Sequence, residues 1–191
     1  MELSTEEKII QAAIQMVKSH GYKGATTKKI AEEAGVNEVT LFRHFGSKKG
    51  LIESIINKFS FIDFISQTLE KEIVWDLEKD LRMLSSLYLN EMEKKRDIIL
   101  ISIKEADAFP ELDKMMAKVP IQYKLLLMNY FQKMMQRGHI KNINAEVAAT
   151  NFFFLNFGYT LLKTRLNEDG TVMPIEHFLD QNIALFIESL R

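Results

Sequence analysis

Four histidines, no cysteine and 26 carboxylates are the residues from which a catalytic or metal site would have to be assembled. His20, His44, His139 and His177 are too far apart for any two to hold one metal from a single helix, because helix-borne ligands sit three or four residues apart. There is no Glu-x-x-His pair, so the di-iron carboxylate bundle is excluded. Without cysteine there can be no zinc–thiolate site, iron–sulfur cluster, thiol nucleophile or disulfide scaffold. The Gly-x-Ser-x-Gly elbow, the P-loop and the dinucleotide glycine pattern are absent as well. The carboxylates lie in mixed Lys/Glu stretches that suit solvated helix faces, so pairing any two as acid and base has no specificity. The chain reads as a binder and not as an enzyme, with no metal and no cofactor.

Composition bounds what is bound. The 191 residues are 47% apolar and 27% charged, which is globular. The net charge is −1, with +3 concentrated in residues 21–50. The longest apolar stretch, Phe152 to Leu162, is broken by Asn156, Gly158 and Thr160. It falls short of the about 20 residues a membrane span requires. The N-terminus, Met1-Glu2-Leu3-Ser4-Thr5-Glu6-Glu7, is acidic where a secretory signal would be basic. These features predict a cytoplasmic protein with no membrane partner.

The elements that must position any binding residues are helical, because apolar residues recur with a helical period and nothing alternates with period two for long. Five of the eight glycines fall between residues 21 and 50 and punctuate short elements there. Ser4 with Glu7 fits a capping box for a first helix that Gly21 ends. Thr26 or Thr27 caps a second helix through Ile30, Ala31 and Ala34, stopped at Gly35. Asn37 caps a third, Glu38 to Phe45, and Ser47 a fourth carrying Leu51, Ile52, Ile55 and Ile56. Further helices are predicted over 76–95, 98–107 and 111–118, then from Pro120 to Gly138, from Asn144 to Leu166, and from Pro174 onward. Asn167-Glu168-Asp169-Gly170 reads as a turn. The expected fold is all-α, about nine helices: a three-helix helix-turn-helix domain followed by a helical bundle.

Residues 27–45 carry the information. Two short helices separated by Gly35-Val36-Asn37 have helix-turn-helix spacing. Burying Ile30, Ala31, Ala34, Val36, Leu41 and Phe45 leaves Glu38, Val39, Thr40, Phe42, Arg43 and His44 facing away. Val39 and Phe42 are poorly placed in water but well placed in a DNA groove, where apolar groups meet thymine methyls.

Residues 5–58 resemble the DNA-binding domain of the TetR family of transcriptional repressors. The resemblance rests on Ile10-x-x-Ala13, Gly21-Tyr22, Thr26-Thr27-x-x-Ile30-Ala31-x-x-Ala34-Gly35-Val36 and Thr40-Leu41-Phe42-x-His44-Phe45-Gly46-Ser47-Lys48. It implies phosphate contacts from Thr27, Thr40, His44 and Lys48, and base-edge contacts from Lys28, Glu38, Val39 and Arg43. Phe42 stands where the family most often has tyrosine, which removes one phosphate hydrogen bond. Asn37 replaces the commoner serine cap. Glu38 is suited to accept from cytosine N4 or to disfavour wrong sites.

The resemblance also implies a division into a DNA-binding domain, residues 1–50, and an effector-binding and dimerisation domain, residues 51–191. Stripes through Tyr88, Ile101, Tyr123, Leu127, Asn151 and Leu155 are the expected effector-cavity lining. They lack an Arg or Lys cluster, so a small hydrophobic effector is expected and a multiply anionic one is not. Phe153, Phe157 and Leu161, with Phe178, Ile183 and Phe186 of the last helix, are the expected homodimer interface. The function expected is a repressor that binds a palindromic double-stranded operator and is released by its effector. The alternatives are a helical protein-interaction module that has lost DNA binding, and a small helical enzyme using the C-terminal cavity.

Overall fold

A computed structural model describes residues 3–58, 62–105, 110–166 and 172–191. Among these residues there are helices and connecting turns and no strand. They divide into two compact units, Met1–Ser60 with Lys95–Lys118, and Phe61–Lys94 with Val119–Arg191.

The first unit begins with α1 (Thr5–Gly24), capped by the reciprocal Ser4–Glu7 box and kinked at Gly21, whose φ is 72°. α2 (Thr27–Glu33) and α3 (Glu38–Phe45) follow, and α4 (Lys48–Lys58) closes over them. Ile9, Ala13, Ile30, Leu41 and Leu51 are all fully buried and form the centre of this unit. Gly50 is required where α4 starts: a Cβ there would lie 2.1 Å from the Phe45 carbonyl oxygen. α7 (Arg96–Glu105) also belongs to this unit. It packs Ile98 into the same core, and Lys18 pairs with its Asp97 at 2.8 Å.

The first compact unit thus takes in α4 and α7 beside the first fifty residues. Leu51, Ile52, Ile55 and Ile56 of α4 and Ile98 of α7 share one core with α1. Their apolar faces have to be covered, and α1 covers them.

The second unit contains α5 (Ile62–Glu72), a helix that the apolar pattern had not singled out, and α6 (Leu77–Lys94). α8 (Pro110–Gln136) enters it at Val119, and α9 (Ala145–Leu166) follows. The separate helices expected on either side of Pro120 are one, with the proline inside α8. Proline forfeits one backbone bond, which neighbouring turns of a long helix can outweigh. The expected turn at 167–170 lies outside the described residues.

The chain ends in α10 (Ile175–His177), a π-turn (Phe178–Asn182) and α11 (Ile183–Leu190). In the π-turn the Ile183 N–H donates to the Phe178 carbonyl. Residues five apart in an α-helix point about 140° away from each other. The wider turn lets Phe178 and Ile183 both be buried, at 1% and 0% exposure.

One buried charge organises the entry to α6. Asp76 caps the helix through the Glu78 and Lys79 amides, each at 3.1 Å. Asp80, 1% exposed, accepts from the Val74 N–H at 3.1 Å and the Tyr130 hydroxyl at 3.2 Å. Between them Trp75 adopts φ 60°, stacks on Tyr130 and receives the Arg137 guanidinium 3.9 Å from its ring centre. Burial raises the Asp80 carboxyl above the ordinary carboxylate range, against the hydrogen bonds that lower it. The native state then holds a proton on Asp80 where the unfolded chain has released it. The cost of charging Asp80 is absent below the unfolded carboxylate range and is complete above the raised native value. Asp80→Asn keeps an acceptor for Val74 and removes the charge. It should raise the thermal midpoint at neutral pH, with the gap to wild type narrowing as the pH falls through the raised native value toward the ordinary carboxylate range. A gap that widens on acidification would overturn this account.

Candidate nucleic-acid interface

The helix-turn-helix is built from three caps and one sharp turn. The Thr26 hydroxyl accepts from the Lys29 amide and starts α2. Gly35, φ 67°, reverses the chain, and the Val36 amide returns to the Ala31 carbonyl at 3.0 Å. The Asn37 side chain accepts from the Val39 amide at 2.9 Å and starts α3. α3 then ends at Gly46, φ 70°. Left-handed backbone of this kind suits glycine because it has no Cβ.

This framework separates two faces of α3. Leu41 is fully buried and Phe45 half-buried against the core. On the other side Val39 is 73% exposed, Phe42 is 44% exposed, and Arg43 and His44 are exposed. Lys28 is exposed on α2, while Thr27, Glu38, Thr40 and Lys48 are half-buried. Lys28 and Arg43 make no side-chain hydrogen bond or ion pair among the described residues. The structure thus brings the expected DNA-contact residues onto one side of α2, α3 and the start of α4.

Three of them are already engaged within the protein. The Lys48 ammonium donates to the Tyr22 carbonyl and lies 4.0 Å from the centre of the Tyr22 ring. The Thr27 hydroxyl donates to Glu38 Oε1 at 2.6 Å. Neither contact has a local sequence signal, because each joins residues of different helices.

Of the residues expected to line an effector cavity, Ile101 belongs to the first unit and the other five to the second. Tyr88, Tyr123 and Leu127 are buried in the second unit, the two tyrosine rings stacked at 5.2 Å. Burial raises both hydroxyls above the ordinary tyrosine value and keeps them neutral. Ile101 belongs to the first unit, beside a small apolar cavity of about 30 Å³ that Ile14, Tyr22, Ile55 and Ile98 also line. Asn151 and Leu155 face an open groove with Phe154, Asn182, Leu185 and Phe186.

The expected dimer residues separate too. Phe153 packs edge-on to Tyr88 and Tyr123 at 6.2 and 6.4 Å, and Phe157 stacks on Phe153. Phe178 stacks on Tyr159 at 4.3 Å, and it and Ile183 are buried within the protomer, leaving no surface for a partner. Leu161 and Phe186 are half-buried, Phe186 against Phe131 and Phe152. The exposed apolar residues of α9 and α11 are instead Val147, Phe154, Leu162, Leu166 and Leu185. Among the described residues no helix is long and apolar enough to cross a membrane.

A glycine-turned pair of short helices, the second buried through Leu41 and Phe45 with Val39, Phe42, Arg43 and His44 toward solvent, is a helix-turn-helix. A family model for bacterial regulatory proteins of the tetR family matches residues 9–55. A second model, for the C-terminal domain of AefR-like transcriptional repressors, matches residues 82–187. The chain is 33% identical over 186 residues to the HTH-type transcriptional regulator YvkB of Bacillus subtilis (strain 168), covering 97% of each. The chain belongs to the TetR family and is a DNA-binding transcriptional regulator. The fold matches the fatty acid degradation regulator FadR from Bacillus halodurans, with TM-score 0.73 and 21% identity over 97% of this chain and 96% of that one. It also matches FadR from Bacillus subtilis in complex with stearoyl-CoA, with TM-score 0.76 and 18% identity over 96% of this chain and 98% of that one. The interaction module without DNA binding is not favoured.

The engaged and unengaged cations generate different expectations. Lys48→Ala should weaken binding evenly across DNA sequences and flatten the slope of log K against log salt by about one. An unchanged slope with a lower thermal midpoint would make Lys48 a clamp on Tyr22 alone. Arg43→Ala should relax preference at one position per half-site, a loss of about 1–3 kcal/mol in discrimination. Retention of full preference would remove Arg43 from the reading surface.

Proposed function

We propose that the protein is a homodimeric repressor that binds a near-palindromic operator and is released by a small hydrophobic effector. Residues 1–50 act as the DNA-binding domain, and residues 51–191 supply effector binding and dimerisation. The observation that carries this reading is α3: Val39, Phe42 and Arg43 stand in solvent on a helix whose opposite side is core. Thr40 and His44 complete the DNA-contact set with Lys28, Glu38 and Lys48, and Thr27 enters it through its hydrogen bond to Glu38. Two copies related by a twofold axis would place their α3 helices in successive major grooves about 34–36 Å apart.

The match to the AefR-like repressor domain supports repression. Tyr88, Tyr123, Leu127 and Phe153 are the proposed inner wall of the effector site, an aromatic surface suited to an acyl chain or a flat lipophilic molecule. The FadR structure with stearoyl-CoA supports a site of this kind in this fold. Effector binding would favour a conformation in which the two α3 helices no longer match their half-sites.

Binding to the DNA upstream of its own gene, followed with and without saturated acyl chains and lipophilic amines, tests this function. Release of DNA together with a raised thermal midpoint is the expected result. Release by highly charged metabolites alone would overturn the effector class, and failure to bind any DNA would overturn the function.

For the dimer, the exposed stripe of α9 is the proposed contact. Val147, Asn151, Phe154, Gly158 and Leu162 recur three or four residues apart and share one side of the helix. Leu185 of α11 borders the same groove as Phe154. A twofold four-helix arrangement would cover these residues. Phe154→Glu should yield a monomer by light scattering at micromolar concentration with the helical content kept. A dimer that survives this substitution would place the interface elsewhere.

A further inference from the structure

The contact between Thr27 and Glu38 joins the first residues of α2 and α3. These are the helices whose relative placement decides what the DNA-facing side presents. Glu38 is half-buried and its Oε1 accepts from the Thr27 hydroxyl at 2.6 Å, while Oε2 has no partner among the described residues. A carboxylate in a DNA-facing position is costly beside phosphates, so it requires a compensating donor. The ionised carboxylate only accepts hydrogen bonds. In the major groove the base edges that donate are cytosine N4 and adenine N6, whereas guanine presents only acceptors and thymine an acceptor and a methyl.

We propose that Thr27 presets Glu38 as the acceptor for one exocyclic base amino group in each half-site, making Glu38 a specificity determinant and Thr27 its positioning residue. This rests on the DNA-binding reading above and names the chemistry that one position of the operator must show. Thr27 orders the glutamate side chain before DNA arrives, so less rotamer freedom is lost on binding. A base with an acceptor at that position leaves Oε2 desolvated against another acceptor, which rejects the site. The same negative charge weakens attachment to arbitrary DNA, so Glu38 raises discrimination while lowering affinity for non-specific sequence. The Thr27 hydroxyl donates its proton to Glu38, so Thr27 serves the base contact through Glu38 in place of the phosphate contact that the family resemblance implies for it.

The test is selection of bound sequences from a randomised duplex library, using the full-length protein and its Thr27→Val, Thr27→Ser and Glu38→Gln variants. Wild type should enrich cytosine or adenine at one position per half-site, and the enriched base distinguishes N4 from N6. Thr27→Val removes the hydroxyl at nearly constant shape. It should reduce preference at that position about tenfold, leaving the other positions unchanged. Thr27→Ser retains the hydroxyl and should retain the preference. Glu38→Gln exchanges one acceptor for an amide donor: an enriched cytosine should give way to adenine, an enriched adenine should persist, and binding to unselected DNA should strengthen in either case. The proposal is overturned if Thr27→Val lowers affinity evenly across sequences with every preference intact, which is the signature of a phosphate contact. It is overturned equally if Glu38→Gln leaves an enriched cytosine unchanged, or fails to strengthen binding to unselected DNA. A wild-type protein that enriches no sequence would overturn the DNA-binding reading and this proposal with it.

Discussion

An eight-residue helix does not hold its shape alone in water, because nucleation costs more than so few backbone bonds return. α3 is such a helix, and it must stand rigid while most of its surface faces outward. It does so by inserting Leu41 into a core made of Ile9, Ala13 and Ile30, with Phe45 behind it. The Asn37 cap and the Gly46 reversal finish its two ends. What α3 presents to DNA depends on that buried leucine and those two ends. The close approach of α4 to the Phe45 carbonyl, possible only because residue 50 has no side chain, holds the end of α3 in place.

Polar contacts then refine what packing has positioned. The Lys48 ammonium on Tyr22 links the start of α4 to the residue after the kink at Gly21. Thr27 and Glu38 link α2 to α3. These contacts are partly exposed, so each contributes geometry more than stability. In the second unit the opposite holds. Asp80 is buried, and its bonds to Val74 and Tyr130 hold Trp75 in a backbone conformation that a bulky residue seldom adopts. Removing such an acceptor leaves donors unsatisfied at a cost of about 1–3 kcal/mol each.

α9 shows how one helix serves several surroundings at once. Phe152 and Tyr159 enter the core, Phe153 and Phe157 join Tyr88 and Tyr123, and Phe154 and Leu162 stay exposed. Asn156, fully buried, accepts from Ser85 and donates to the Phe152 carbonyl at 2.8 Å, which fixes the rotation of α9 against α6. A polar pair inside an apolar helix interface specifies register, because any other rotation would bury the amide without partners.

The N-terminal helices, their caps and the glycine turns were legible from residues alone. Ser4 with Glu7, Thr26, Gly35, Asn37 and Gly46 act within a turn or two of chain, and each does in the structure what its type and spacing imply. The outward placement of Val39, Phe42 and Arg43 followed from the same short-range period. The assignments on α9 and the last helix were not legible. α9 is apolar on nearly every side, so periodicity cannot say which side meets which neighbour: Phe153 packs against Tyr88 and Tyr123 while the adjacent Phe154 stays exposed. Phe178 and Ile183 share a buried side only because a π-turn intervenes, and no residue type announces one. Sequence determined what local backbone chemistry controls. Tertiary packing decided which face each helix buries, since that depends on the surfaces of helices distant along the chain.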